Sequence, residues 1–216
     1  MPGRLFVPWA HTASDARPLG EWLRGQYAPC MMVGPRAPCD ALWEAWTRRA
    51  EPSNWYDQRL YTMSRLRSPE RVQGFRVAQD KDWKTIAEQS AAYALEDLGE
   101  HAPDSDASQI GHVVRERIRD GRTFVLTRDN DVVFHVHVGA RGAHGCMVGG
   151  TYVPPKWRGQ GIASAGMRAT CATLLQRWPT VTLHVNEANL PAVRLYETVG
   201  FQPHAAFRLA TPKQHQ

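Results

Sequence analysis

The sequence predicts an α/β fold, and three stretches carry that reading. In residues 149–175 an extended, β-branched segment (148–153) passes two prolines and a glycine-bearing turn, then enters a helix free of internal proline. Residues 180–186 (TVTLHVN) read as a strand, and a helix follows with Asn189 as N-cap, Pro191 in its first turn and Gly200 as its stop. Residues 1–68 read as βαβαβ, with no glycine-rich phosphate loop.

Composition sets the outer bounds. A chain of 216 residues that is 43% hydrophobic can bury one sizeable core, or one domain and a smaller unit. The net charge of +5 and a pI near 9.2 suit an anionic ligand. Lysines and arginines are scattered rather than clustered, so nucleic acid is not the expected partner. Cys30, Cys39, Cys146 and Cys171 show neither metal spacing nor a disulfide framework, which suits a reducing cytoplasm. The N-terminus MPGRLFVPWAH lacks a long apolar run and no later stretch reaches membrane-spanning length. No signal peptide or membrane partner is expected.

In chain order, residues 4–9 form a short predicted strand. Residues 13–26 form a helix with Leu19, Trp22 and Leu23 on one face. The apolar run 30–33 is a strand ended by Gly34-Pro35. Asp40 is expected to cap a helix to residue 49 that carries Leu42, Trp43 and Trp46 at helical spacing. A loop over 51–57 then leads to a strand at 59–66. Residues 68–72, polar and containing Pro69, read as a linker to a domain over 72–210, and 211–216 as a flexible tail. That domain opens with a strand at 75–78 and a helix at 81–98 with Asp80 and Asp82 at its start. A second helix at 106–119 is stopped by Gly121. Strands at 123–127 and 132–138 flank the turn Arg128-Asp129-Asn130-Asp131 as a hairpin, and strand 144–153 leads to the loop. Strand glycines Gly149 and Gly150 suit a bulge. A strand at 201–209 closes the sheet.

The turn Arg158-Gly159-Gln160-Gly161-Ile162-Ala163 has the parts of an anion site. Glycine backbone allows close approach, unpaired N–H groups begin the helix, and the helix dipole adds positive charge. A P-loop requires a Lys-Ser/Thr pair that is absent here. A dinucleotide fingerprint requires a third glycine where Ser164 stands, and five residues intervene after the strand. What remains is Arg/Gln-x-x-Gly-x-Gly/Ala, filled by Arg158, Gly161 and Ala163. This resembles the coenzyme A pyrophosphate loop of the Gcn5-related N-acetyltransferases, the GNAT superfamily. The later run Asn189, Ala192, Tyr196, Gly200, Phe201 is similar to that superfamily's Asn-x-x-Ala-x-x-x-Tyr-x-x-x-Gly-Phe motif. Residues 1–68 resemble the back half of such a domain without its coenzyme site. Their placement ahead of a complete domain resembles a bacterial subgroup of two-part GNAT proteins whose N-terminal region is uncharacterised.

The resemblance implies a mixed, mainly antiparallel twisted sheet with flanking helices. It also implies acetyl transfer from acetyl-CoA, as co-substrate, to an amine acceptor by direct transfer in a ternary complex. Arg158, Gly159, Gln160, Gly161, Ile162, Ala163 and Ser164 would hold the pyrophosphate, and the backbones of Tyr152 and Val153 would face pantetheine and thioester. Asn189 would cap its helix and touch pantetheine. An alkyl ammonium with a pKa near ~10 must lose a proton before it attacks, so a base or a water path is needed. Tyr93, Glu96, Asp97 and Glu100 are candidates for the acceptor pocket. Glu96 and Asp97 are candidate bases, beside His135, His137 and Glu187. The Val153 N–H is the expected oxyanion donor and Tyr196 the expected acid for the departing thiol. The bland readings are a core aromatic for Tyr196, a solvated helix end for Glu96 and Asp97, and a surface pair for His135 and His137. Those two histidines have no evident third ligand, so no metal is expected. The acceptor stays open between small molecule and protein, as does a homodimer. The rival function is an acyl-CoA sensor or protein-interaction module, with the tryptophan-rich N-terminal unit as its interface.

Overall fold

A computed structural model describes residues 5–8, 10–48, 54–66, 72–98 and 107–212. The fold is mixed α/β. Two compact units interleave along the sequence: residues 1–61, 184–193 and 203–216 form the first, and residues 62–183 and 194–202 the second. Among the described residues no helix is long and apolar enough to cross a membrane.

In the first unit β1 (Leu5–Phe6) runs parallel to β2 (Met31–Pro35), and β2 pairs antiparallel with β9 (Gln202–Thr211), Met32 facing Ala210. Strand order here is β1-β2-β9-β3, with β3 spanning Asn54–Met63. Helix α1 (Ala13–Arg24) begins at a Thr12–Asp15 capping box, and α2 (Arg36–Thr47) follows β2 directly. The two helices meet at Gly20, where a Cβ would stand 2.4 Å from the Leu42 carbonyl oxygen. Leu23, Met32, Leu42, Trp43, Trp46 and Ala210 form the core between helices and sheet.

Two expectations are corrected here. Asp40 does not cap α2: Pro35 occupies that position, and the Asp40 carboxylate receives two bonds from Arg208, at 2.8 and 3.2 Å. Arg208 also pairs with Asp57 and lies over the Trp55 ring, so a nearly buried guanidinium is matched on all sides. Residues 54–57 belong to β3 rather than to a loop, and β3 stops at Met63. Strand β9 runs to Thr211, one residue into the expected tail. The expected linker falls mostly on 68–71, outside the described residues.

The second unit has the order β8-β7-β6-β5-β4. Strands β4 (Phe75–Val77), β5 (Thr123–Arg128), β6 (Asp131–Gly142) and β7 (Gly145–Tyr152) pair antiparallel in succession, and β7 pairs parallel with β8 (Val181–Asn186). Asp129 and Asn130 both take positive φ, as a two-residue hairpin turn requires. Helices α3 (Trp83–Leu98) and α4 (Ala107–Arg119) cover one face of the sheet through Ile86, Val114, Ile118 and Val125. Helix α5 (Ile162–Leu174) lies on the other face, where Gly166 meets the Phe134 ring closely. Helix α6 (Leu190–Val199) ends at Gly200, whose N–H returns to the Tyr196 carbonyl at 3.1 Å.

Candidate active site

The β7–α5 junction is built from local chain geometry. After Tyr152 the two prolines force one 3-10 turn, Pro155–Trp157. Gly159 and Gly161 then both adopt φ of +74°, a region that glycine enters without strain. Gly161 is the N-cap of α5, and the first ladder bond runs from the Ala165 N–H to the Gly161 carbonyl at 3.0 Å. The amides of Ile162, Ala163 and Ser164 therefore precede any i−4 acceptor within the helix, and no side chain caps them. A Cβ built on Gly159 or Gly161 meets no atom within 4 Å. A cavity of about 650 Å³ opens beside this turn, lined by Gln160, Gly161, Ile162, Arg128, Asn130 and Gly74 among others. The Arg128 guanidinium donates to Gln160 Oε1 at 3.1 Å, tying the hairpin tip to the loop. Arg128 and Asn130 carried no functional signal in the sequence beyond their turn spacing.

The strand before the loop is irregular at the expected glycines. His135 pairs with Tyr152 but His137 with Gly149, so β7 has one residue more than β6 across this interval. Gly150, at φ +61°, absorbs it. The bulge thus lies against the antiparallel neighbour β6. On the other edge, β7 pairs parallel with β8 at Cys146↔Val181 and Met147↔Thr182.

Glu96, Tyr152, Val153 and Arg158 converge. The Arg158 guanidinium donates to both Glu96 oxygens, at 2.7 and 3.0 Å, and through Nε to the Val153 carbonyl at 2.9 Å. The Tyr152 hydroxyl donates to Glu96 Oε1 at 3.2 Å. Burial and the adjacent Glu96 carboxylate raise the Tyr152 pKa, which keeps the hydroxyl a donor. The Arg158–Glu96 pair is about half exposed on both sides (47% and 46%), so its contribution to stability is at most ~1 kcal/mol. Asp97 lies one residue on in α3; its side chain, and all of Glu100, fall outside the described residues. Tyr93 is half-buried on the same helix.

Of the remaining expected residues, His135 packs its ring against Tyr152, 5.9 Å between centroids. His135 is buried rather than on the surface, and both its ring nitrogens lack a hydrogen-bond partner among the described residues. Burial, with the Arg117 charge, lowers its pKa to about 4; the same causes, with His135 and Arg122, bring His137 to about 3. Both rings are neutral at pH 7. Among the described residues no group of three or more His, Cys, Asp or Glu could hold a metal ion. Tyr196 is buried and meets Phe201 edge-on at 5.9 Å between centroids. Asn189 Oδ1 accepts the Ala192 N–H at 3.2 Å, the N-cap bond of α6. Glu187 is paired with Arg36 and Arg59.

Known proteins share this architecture. A family model described as acetyltransferase (GNAT) family matches residues 60–201. The mycothiol acetyltransferase of Thermobifida fusca is 29% identical over 215 residues, 90% of this chain and 64% of that protein. That of Thermobispora bispora is 35% identical over 117 residues, 52% of this chain and 37% of that one. The chain therefore spans under two thirds of the length of either relative. Among solved structures, a putative GNAT acetyltransferase from Novosphingobium aromaticivorans aligns with a TM-score of 0.64 at 16% identity, covering 95% of this chain and 83% of that one. A GCN5-related N-acetyltransferase from Kribbella flavida aligns at 0.62 and 17%, covering 99% and 80%. The family match takes in both the β7–α5 loop and the Asn189 to Phe201 motif, and the chain belongs to the GNAT acetyltransferase family.

Proposed function

We propose that the protein transfers an acetyl group from acetyl-CoA to an amine in a ternary complex. The observation that carries this is the open first turn of α5: three amides without helical acceptors follow two positive-φ glycines, beside a cavity of about 650 Å³. That turn fits a pyrophosphate, since backbone N–H groups and the helix dipole both favour an anion there. Acetyl-CoA supplies the activated acyl thioester.

The chain's own residues then have distinct roles. Gly159 to Ser164 hold the pyrophosphate, and the backbone of Tyr152 and Val153 receives pantetheine. The Val153 N–H faces the developing oxyanion. The amine nitrogen bonds to the acyl carbon as the carbon–sulfur bond breaks. The amine proton passes to Glu96, Asp97 or water, and the Tyr196 hydroxyl protonates the thiolate. Glu96 can take a proton only once Arg158 leaves it, and an anion at the loop gives Arg158 an alternative partner. Residues 1–68 are read as a GNAT-like region without a coenzyme site of its own. The relatives' name, mycothiol acetyltransferase, makes mycothiol chemistry the first place to look for the acceptor.

The test is calorimetric titration with acetyl-CoA, followed by acceptor-dependent thiol release. Micromolar binding with thiol release supports the proposal. Absence of binding refutes it, and binding without release for any amine turns the reading to a sensor.

A further inference from the structure

The cavity of about 650 Å³ beside the α5 turn has a second wall, built by the β5–β6 hairpin. Among the described residues two charged side chains line it, Arg128 and Asp129, both exposed at the hairpin tip. Arg128 is tied in place on two sides. Its Nη1 donates to Gln160 Oε1 at 3.1 Å, and Gln160 Nε2 donates in turn to the Lys156 carbonyl at 3.4 Å, which turns the amide oxygen toward the guanidinium. The guanidinium carbon lies 5.5 Å from the centroid of the Trp157 ring, and Lys156 Nζ lies 5.3 Å from the same centroid. Lys156 also pairs with the Asp131 carboxylate at 2.8 Å, so one of the two acidic groups of the hairpin is already matched.

A surface arginine on a tryptophan is ordinary in itself. Here Gln160 takes one of the N–H donors of the guanidinium, and Arg128 lines the same cavity as Gly161 and Ile162, where the uncapped amides of α5 begin. Coenzyme A carries two separate anionic groups: a pyrophosphate and, across one ribose from it, a 3′-phosphate monoester that is close to doubly charged at neutral pH. The α5 amides suit the first. A planar fork of donors suits the second, because it can meet two phosphate oxygens at once. Asp129 also lines the cavity, but it is exposed and screened by solvent, whereas a guanidinium in contact with phosphate acts through direct charge-assisted bonds. We infer that Arg128, held by Gln160 and Trp157, is the residue that selects the 3′-phosphate of the coenzyme. The inference rests on the acetyl-CoA reading above.

The test uses the full chain and two ligands, acetyl-CoA and its 3′-dephospho form, each titrated by calorimetry. Wild type binds acetyl-CoA about tenfold more tightly than the dephospho form, the worth of one charge-assisted contact. Arg128→Gln removes that preference: its acetyl-CoA Kd weakens about tenfold, while its Kd for the dephospho form stays within about twofold of wild type. Arg128→Lys, which keeps the charge but loses the fork, falls between; it carries the same test should the glutamine variant fail to fold. No preference in wild type, a preference that survives in Arg128→Gln, or an equal loss of both ligands in that variant overturns the role of Arg128 alone. A wild type that binds neither ligand overturns the acetyl-CoA reading and the role of Arg128 together.

Discussion

Replacing Gly161 with Asp separates what the loop does for the fold from what it does for a ligand. The structure sets the cost to stability. Gly161 has φ +74°, which costs a residue with a Cβ roughly 1–2 kcal/mol, but open space surrounds the new side chain, so no packing term is added. A carboxylate at the N-cap of α5 gains about 0.5 kcal/mol from the helix dipole. The net loss is about 1 kcal/mol, or a melting temperature lower by about 2–4 °C for a chain of this size. The effect on binding is larger. The carboxylate sits where an anion would lie and offers itself to the Ile162–Ser164 amides. Losing one or two charge-assisted bonds of about 1.5–3 kcal/mol each predicts a Kd weaker by at least about tenfold. Gly121→Asp is the control: its φ is +65°, its surroundings are equally open, and it lies beyond the opposite end of β5 from Arg128. Calorimetry with acetyl-CoA and thermal melts on the three proteins give the answer. Binding by Gly161→Asp within threefold of wild type refutes the loop assignment, and so does an equal loss in Gly121→Asp.

Three further outcomes follow from the same structure. Tyr196→Phe lowers turnover about a hundredfold and leaves the acetyl-CoA Kd within twofold, and unchanged turnover removes Tyr196 from the chemistry. His135 binds its proton at about pH 4 when folded and near ~6.5 when unfolded, so its stabilisation is complete above pH 6.5 and is lost as pH falls toward 4. Unfolding free energies from urea titration should drop across that interval, by up to about 3 kcal/mol from this group, and His135→Asn should reduce the slope by up to one proton. Gly166→Ala places a Cβ 2.6 Å from the fully buried Phe134 ring; overpacking of about 1–3 kcal/mol outweighs about 1 kcal/mol gained in helix propensity, and a urea midpoint at or above wild type contradicts this.

What the sequence revealed divides by range. The positive-φ glycines, the Asn189 cap and the Gly200 stop are decisions made within four or five residues, and all are legible from spacing. The bulge position at Gly150 was legible for the same reason, whereas its partner strand was not. Asp40 misled because an aspartate before Leu42 has the form of a cap, while its true partner, Arg208, is 168 residues away. Residues 54–57 escaped because Asn54 and Asp57 break any apolar alternation in a half-exposed strand. The meeting of Arg158 with Glu96 joins residues 62 apart in the chain, and no periodicity marks such a pair.

The place of β9 bears on how the chain acquires its structure. Strand β2 has β9 as its antiparallel partner, and Ala210 is part of the core that contains Met32, Leu42 and Trp43. A ribosome completes α1 and α2 long before it delivers that strand. During synthesis these helices expose Trp43 and Trp46 to the surrounding solution, and that interval is when a chaperone has most to do. Contacts of this sequence separation also predict slow refolding, set by the search of β9 for its slot beside β2.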